Sequence, residues 1–158
     1  MRTTSTRIPR RRFFGTAALG ALGAGAFGGT AQAAALTPAE QANSTLVAAF
    51  CAAWKAGDAT KVGSHLSGDC VVRFIASTDG SPVVSGRAAV VKQVGEYLDG
   101  NTIEFIIKDT WASGPMVVNR RVDRIVSKNG SQDIEVVGVF FVREGKIKEW
   151  SDFIAEAV

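Results

Sequence analysis

The sequence predicts an α+β fold in which three helices of the N-terminal half pack on one face of a curved mixed or antiparallel sheet. Two observations predict it. Apolar residues recur at three- and four-residue steps before position 99, whereas four segments of strand character follow position 100 with only short, glycine-containing turns between them. A curved sheet covered by helices encloses a cone-shaped cavity, so we expect residues of its concave face to line a pocket.

Residues 1–35 carry the pattern of an export signal. Five arginines precede or open an uncharged Ala- and Gly-rich run of about 17 residues, which is followed by Ala31-Gln32-Ala33. The stretch Arg10-Arg11-Arg12-Phe13-Phe14 resembles a twin-arginine signal. The alternative is a membrane-anchoring helix, but the run is near the lower length limit for spanning and is diluted by small residues. We expect cleavage, export to the periplasm or beyond, and a mature chain that begins at Ala34 or Leu36.

Residues 36–158 are predicted to form a single domain, which is long enough for one core. Once the signal is removed, 13 Lys and Arg stand against 15 Asp and Glu, and the net charge is −2. The high isoelectric point of the whole chain therefore belongs to the signal and does not indicate nucleic-acid binding. No later apolar run is long enough to predict a membrane segment after signal cleavage.

Three helices are predicted in the first part of this domain. Thr37 and Glu40 form a capping-box pair around Pro38, so the first helix begins there and runs to about Lys55. The other two helices are predicted over residues 59–66 and 88–98. Strands are predicted over residues 70–76, 103–112, 116–127, 132–142 and 146–155, with a turn at 67–69 and a short extended piece at 83–84.

Charged side chains of the later strands form a candidate site. Arg121 and Asp123 are two residues apart, so in a strand they project from one face, which also carries Asn119. Asp152 lies in the last strand, with Trp150 on the same face. Buried charges persist when they are paired, and two carboxyls around one guanidinium can hold different protonation states. We therefore predict that Arg121, Asp123 and Asp152 meet in the pocket, as an acid–base enzyme requires.

The alternative for these strand residues is a solvated ladder of charges, because further arginines flank them. Arg120 and Arg124 have the opposite parity to Arg121, so they are expected to face solvent. This difference in parity favours a position of Arg121 inside the pocket over the alternative in which all these charged residues are exposed to solvent.

The inventory of metal- and cofactor-binding residues is small. Cys51 and Cys70 either form a disulfide, which an exported protein permits, or are two buried apolar side chains. There is one histidine, and neither zinc-type spacing nor a glycine-rich phosphate loop is present. We therefore expect no metal and no cofactor.

Three pieces of the chain resemble a known family. They are Gly86-Arg87-Ala88-Ala89-Val90, Arg121-Val122-Asp123, and the run from Gly138 to Phe153 that contains Trp150-Ser151-Asp152. The mature domain resembles the nuclear-transport-factor-2-like superfamily, also called SnoaL-like or ketosteroid-isomerase-like, a cystatin-like α+β barrel. Within it, the chain is similar to limonene-1,2-epoxide hydrolases. That resemblance implies that Asp123 is the acid that protonates an epoxide oxygen, Asp152 the base that activates water, and Arg121 the cation between them.

One departure from the family concerns the water site. The positions where the family has a tyrosine and an asparagine that hold the water correspond here to Val72 and Phe74, neither of which can hydrogen-bond. Together with Asn119 and Trp150 they are the predicted substrate pocket, and Asn119 or Thr78 is a possible substitute anchor. Besides hydration of a small apolar epoxide, two alternatives stay open: a non-catalytic ligand-binding or assembly module, and a proton-transfer enzyme of the ketosteroid isomerase or polyketide cyclase type.

A homodimer is also expected. Strand residues 136–142 are apolar on both faces, more than one pocket-lined face requires. The resemblance adds the habit of this fold to pair through the convex face of its sheet.

Overall fold

The computed structural model describes residues 35–74 and 82–155. Their elements are α1 (Pro38–Trp54), α2 (Ala59–Gly63), β1 (Leu66–Arg73), β2 (Val84–Ser85), α3 (Arg87–Leu98), β3 (Asn101–Ser113), β4 (Met116–Ser127), β5 (Gly130–Arg143) and β6 (Lys146–Ile154). The predicted export signal, apart from its last residue, and the candidate water anchor Thr78 lie outside the described residues. Within these two ranges, no helix is long and apolar enough to cross a membrane.

The six strands form one sheet in the order β2-β1-β6-β5-β4-β3. Strand β1 runs parallel to β6 and antiparallel to β2, and all other neighbours are antiparallel. The turns of the β3–β6 meander place Gly114, Gly130 and Gly145 at positive φ, where glycine is unstrained. Helix α1 packs on β3 and β4, and α3 packs on β1 and β3. The predicted α+β fold with three helices on a curved mixed sheet is confirmed.

Helix α1 is held at both ends. Thr37 and Glu40 form the predicted capping box, each side chain accepting a hydrogen bond from the backbone of the other. Glu40 also accepts a 2.8 Å bond from the backbone nitrogen of Gly114, which ties the first turn of α1 to the β3–β4 turn. At the other end, Phe50 and Trp54 are buried in the core. The helix is therefore fixed across the sheet above the later strands.

The prediction for residues 59–76 is wrong in its boundaries. Helix α2 ends at Gly63, and β1 starts at Leu66, so the predicted turn at 67–69 lies inside a strand. The register of β1 against β6 shifts between Leu66 and Val71, which accommodates the Ser-Gly-Asp sequence as an irregularity of the ladder. At Gly63 the absence of a side chain lets α2 approach α3, because a Cβ there would lie 2.2 Å from Cγ2 of Val91.

The core lies between the helices and the concave face of the sheet. Cys51 and Cys70 are both buried there as free thiols, so the disulfide alternative is not what the structure shows. Burial raises the pKa of the Cys51 thiol to about 12, which keeps it neutral. Both cysteines serve as small apolar side chains in this fold.

The outer face of β4 carries the arginines of opposite parity. Arg120 pairs with Asp109 and Arg124 with Asp133, each pair at 2.8 Å and exposed to solvent. The prediction that Arg120 and Arg124 face away from the pocket is therefore confirmed.

Candidate active site

The candidate site is built on a row of residues that runs across three strands. In β4, β5 and β6 the residues Asn119, Gly138 and Asp152 lie opposite one another. Arg121 and Asp123 follow on the same face of β4, two and four residues beyond Asn119. This register brings a carboxylate from β6 within reach of the β4 arginine, although the two are 31 residues apart in the chain.

Arg121 bridges both carboxylates. Its Nε and Nη2 donate to the two oxygens of Asp123 at 2.6 and 3.1 Å, and Nη2 also donates to Oδ2 of Asp152 at 2.7 Å. On the other side, Nη1 donates to Oδ1 of Asn119 at 3.2 Å. The side chain of Arg121 has no exposed surface, so every one of these bonds forms away from bulk water. The predicted contact of Arg121 with both carboxylates is confirmed.

Two flat surfaces hold the guanidinium of Arg121. Its central carbon lies 4.1 Å from the centroid of the Phe105 ring, a cation–π contact. It also lies close to the backbone of Gly138, since a Cβ built there would stand 2.3 Å from Nη1 of Arg121 and 2.9 Å from Oδ1 of Asn119. Phe105 and Gly138 therefore restrict where the guanidinium can lie, and Gly138 leaves the space for it.

Asp152 has a second hydrogen-bond donor that Asp123 lacks. Nε1 of Trp150 donates to Oδ1 of Asp152 at 2.6 Å, while Arg121 occupies Oδ2. Trp150 is itself fixed by edge contacts with Phe50 and Phe74, at centroid distances of 5.0 and 5.1 Å. Two donors on separate oxygens favour the ionised form of Asp152.

The pKa values of the two carboxyls reflect burial beside one cation. Burial raises the pKa of Asp123 to about 6, against the lowering by the Arg121 charge and its hydrogen bonds. Burial likewise raises the pKa of Asp152, against lowering by Arg121 and Trp150. Burial by itself lowers the pKa of Arg121, but the charges of Asp152 and Asp123 more than offset it, and the guanidinium stays protonated. One cation thus faces two buried carboxyls, so ionising both is costly, and with a pKa of about 6 Asp123 holds its proton in mildly acidic solution.

A pocket of about 180 Å³ opens above these groups. Asp123 and Asp152 are the only charged residues in its wall, as far as the described residues go. The wall consists of Trp54, Phe74, Tyr97, Ile103, Phe105, Asp123, Ile125, Ile134, Val136, Trp150, Asp152 and Ile154. Two carboxyls in the wall of a pocket that is otherwise formed by aromatic and aliphatic side chains can exchange protons with a bound molecule that is itself apolar.

Two of the four predicted pocket residues line this cavity and two do not. Phe74 and Trp150 are in its wall. Val72 is completely buried in the core instead, where β1 is covered by α3. Asn119 lies beneath the pocket, with Oδ1 accepting from Arg121 and Nδ2 donating to Sγ of Cys51 at 3.5 Å. Its amide is committed to Arg121 and Cys51, so the suggestion that Asn119 anchors a water is wrong.

The sequence does not assign the following residues a role in the site, beyond the interpretation of Phe105 as apolar lining or core. Phe105 and Gly138 position Arg121, and Trp54 and Tyr97 extend the aromatic wall from α1 and α3. Strand parity on β3 and β5 was an available signal for Phe105 and Gly138, because both pair with site residues of β4. No comparable signal points to Trp54 or Tyr97, because the helical pattern does not distinguish an apolar residue that lines a pocket from one that packs in the core.

No group of three or more potential ligands that could hold a metal ion occurs in the described ranges, 35–74 and 82–155. Asp123 and Asp152 are both bonded to Arg121, whose charge opposes binding of a further cation between them.

Comparison with known proteins gives a family and a fold. A family model described as the SnoaL-like domain matches residues 47–150, most of the described chain. A search of curated proteins gave no match. The match to the SnoaL-like domain confirms the predicted membership of the nuclear-transport-factor-2-like superfamily.

Several solved structures are similar to this chain. An LEH-like epoxide hydrolase from M. tuberculosis is 24% identical, with a TM-score of 0.65 over 75% of this chain and 86% of that chain. The epoxide hydrolase/cyclase-like enzyme SalBIII, described in pyran ring formation in the polyether salinomycin, is 21% identical, with a TM-score of 0.65 over 74% and 93%. A putative SnoaL-like polyketide cyclase from Shewanella denitrificans OS-217 is 14% identical, with a TM-score of 0.64 over 72% and 90%. At such identities the likeness shows the fold.

Proposed function

Since this chain belongs to the SnoaL-like family, we propose that it is an acid–base enzyme that adds water to a small apolar epoxide. One observation carries the proposal. Nη2 of Arg121 bridges the two carboxyls at the base of an apolar pocket, 3.1 Å from Asp123 and 2.7 Å from Asp152. Epoxide hydrolases and cyclases are among the proteins that share this fold, and the charged groups are the ones such a reaction needs.

The reaction follows from the protonation states. Protonated Asp123 gives its proton to the epoxide oxygen, while ionised Asp152 takes a proton from the attacking water. The water oxygen bonds to a ring carbon as the carbon–oxygen bond of the epoxide breaks, and the product is a vicinal diol. Each proton transfer can contribute about 10²–10⁴-fold to the rate. Asp152 then releases its proton to solvent and Asp123 takes one up, which restores both carboxyls, and no covalent intermediate with the protein is formed.

Arg121 keeps the two carboxyls in different states. Its single positive charge compensates one carboxylate, so ionising the second inside the pocket is costly. The guanidinium also holds Asp123 and Asp152 in fixed positions through its planar set of donors. Asp123 therefore keeps a proton that an exposed aspartate would lose.

The apolar wall favours a second candidate function, in which a hydroxyl of the substrate opens the epoxide of the same molecule. Val72 is in the core and Phe74 is apolar, so neither positions a water, and the proposed base Asp152 would have to hold the attacking water without their help. Loss of near-attack geometry can cost orders of magnitude in rate. A substrate that carries its own hydroxyl escapes this cost. In that case Asp152 deprotonates the substrate hydroxyl, which opens the epoxide of the same molecule to give a cyclic ether.

The two candidates differ in their products. The purified protein is incubated in heavy-oxygen water with a panel of cyclic and linear apolar epoxides and with epoxides that carry a hydroxyl four or five bonds away. Hydration gives diols that contain one heavy oxygen, whereas ring closure gives cyclic ethers that contain none. Absence of both products would remove epoxide opening and leave the ligand-binding module and the proton-transfer enzyme as the alternatives.

Matched variants connect the products to the site. Asp123→Asn and Asp152→Asn each remove one member of the acid–base pair with little change in shape, so each should abolish turnover. Asp109→Asn changes an exposed carboxylate of the outer face and should leave turnover unchanged. Phe74→Asn introduces a water anchor into the wall and should raise hydration, whereas a tyrosine at the fully buried Val72 would overpack the core.

A further inference from the structure

We propose that the pocket is also a binding site for small alkylammonium cations, which compete there with the neutral substrate. The inference rests on two properties of the wall that act together: negative charge that Arg121 does not fully compensate, and a surround of aromatic rings. Binding of this kind does not require that the protein turns over any epoxide.

The charge at the base of the pocket is unbalanced. Asp123 and Asp152 are in the wall, whereas Arg121 is buried behind them. Of the residues that the structure describes, no other cation lies in this wall, and the neighbouring arginines of β4 form their own ion pairs on the outer face. With both carboxyls ionised, the site therefore carries a net charge of −1. A neutral ligand leaves that charge uncompensated in a low-dielectric cavity, and a cation balances it.

The rest of the wall suits an organic cation. The rings of Trp54, Phe74, Tyr97, Phe105 and Trp150 contribute to it, and aromatic faces attract ammonium groups. The site already contains one such contact, since the guanidinium carbon of Arg121 lies 4.1 Å from the Phe105 ring centroid. A metal ion or ammonium itself would lose its hydration shell against these rings, whereas an alkylated ammonium buries its methyl groups there.

The proposed reaction gives a reason for this preference. When a protonated epoxide opens, positive charge grows on the carbon whose bond to oxygen breaks, and a wall that stabilises that charge also stabilises an ammonium ion. This link rests on the proposed function, whereas the charge and the rings do not.

Ammonium binding and epoxide opening need opposite states of Asp123. The groups that face Asp123 are Arg121 on its own strand and Asp152 from β6, with Tyr97 of α3 in the same wall and the neutral Cys51 of α1 behind Asn119. Epoxide opening needs Asp123 protonated, and a cation binds best when Asp123 is ionised. Because the pKa of Asp123 is about 6, ammonium binding strengthens as the pH rises through that value.

The test compares two ligands of one shape. Choline and its neutral isostere 3,3-dimethylbutan-1-ol are titrated into the purified full chain at constant ionic strength, and binding is followed by calorimetry and tryptophan fluorescence. At about pH 8 we expect choline to bind about tenfold more tightly than the alcohol, and at about pH 5 we expect this preference to shrink toward unity. The pH comparison uses the wild-type chain and so needs no variant to fold.

Variants assign the effect to the pocket. Asp123→Asn should weaken choline binding about tenfold and leave the alcohol unaffected, whereas Asp109→Asn on the outer face should change neither. Choline that binds no better than the alcohol at about pH 8, or equally well to Asp123→Asn, overturns the proposal. Choline binding with no diol or cyclic ether from any epoxide supports the cation site and removes the proposed function. Turnover that choline does not inhibit contradicts competition at this pocket.

Discussion

Asp123 is the residue whose chemistry depends most on its surroundings. In an unfolded chain it is an ordinary aspartate with a pKa near 3.8, and burial in the pocket raises this pKa to about 6. Since the acid must be protonated to open an epoxide, kcat/KM should fall about tenfold per pH unit above about pH 6. The measurement is the pH profile of diol or ether formation from about pH 4 to 9. A rate that keeps rising through this range contradicts the role of Asp123 as the acid.

The same shift predicts how stability depends on pH. The folded state binds the proton of Asp123 more tightly than the unfolded state, so its contribution is fully present below about pH 4 and is lost as the pH rises through about 6. A difference of about two pKa units corresponds to about 3 kcal/mol. The check is the free energy of unfolding of wild type and Asp123→Asn, measured by urea at several pH values. The difference between the two unfolding free energies should change by about 3 kcal/mol between about pH 4 and 7 and stay constant above about pH 7.

Trp150 acts on Asp152 through one hydrogen bond. Trp150→Phe keeps an aromatic ring and removes the Nε1 donor at 2.6 Å, so ionised Asp152 loses stabilisation and its pKa rises. We expect turnover at neutral pH to fall about 10- to 100-fold, because hydrogen bonds to charged groups are worth about 1.5–3 kcal/mol. The ascending limb of the pH profile, which reports the base, should move to higher pH. Trp111→Phe, on the exposed outer face, is the matched control and should shift nothing.

At the scale of elements, the register of three strands decides whether the site exists. Asn119, Gly138 and Asp152 are opposite one another only because β4, β5 and β6 are aligned as they are. A shift of β4 by one residue would turn Arg121 and Asp123 to the outer face, away from Asp152 of β6. The apolar residues that alternate with them would then lose the core, so hydrophobic burial maintains the site geometry.

Gly138 is the point in β5 where a side chain would interfere with this geometry. In Gly138→Ala the new Cβ would lie 2.3 Å from Nη1 of Arg121 and 2.8 Å from Cε2 of Phe140, so the guanidinium must move. We expect a loss of about 1–3 kcal/mol in unfolding free energy and a much larger fractional loss of turnover. Thermal unfolding and product formation are measured together. Gly95→Ala in α3 is the control that should keep both stability and turnover, because a Cβ there would have Ala59 as its nearest neighbour, 3.9 Å away.

For the whole molecule, the outer face of the sheet carries exposed apolar side chains beside the ion pairs of Arg120 and Arg124. Trp111, Phe141 and Phe153 are 56%, 36% and 43% exposed, and Val139 lies among them on the same face. We expect this face to pair two copies of the chain, as light scattering at micromolar concentration would show. Val139→Asp should give monomers, whereas Val83→Asp, an exposed valine beside β2, should not. A monomeric wild type contradicts the dimer.

Export is a second property that we expect of the whole chain, and the expectation depends on its first residues. The stretch Arg10-Arg11-Arg12-Phe13-Phe14 should direct the protein out of the cytoplasm, with cleavage before Ala34 or Leu36. N-terminal sequencing of the exported protein checks the cleavage site. Replacing the three arginines with lysine should leave the protein in the cytoplasm with Met1 intact, because paired arginines are what the transport machinery reads.

The sequence by itself determined the α+β fold, the three helices, the antiparallel meander and the meeting of Arg121 with Asp123 and Asp152. These features depend on local periodicity and on strand parity, which a single chain displays directly. A buried arginine also demands carboxylate partners, so its neighbours could be inferred.

Only the tertiary structure decided which side chains line the pocket and which support it. Val72 and Phe74 have the same parity, yet Val72 is completely buried in the core and Phe74 is in the wall of the pocket. Asn119 shares a face with Arg121, but it lies beneath the pocket and its Oδ1 accepts a hydrogen bond from the guanidinium. The irregular start of β1 and the space at Gly138 likewise arise from contacts between elements. Parity states which face a residue occupies, whereas burial depends on what packs over that face from elsewhere in the chain.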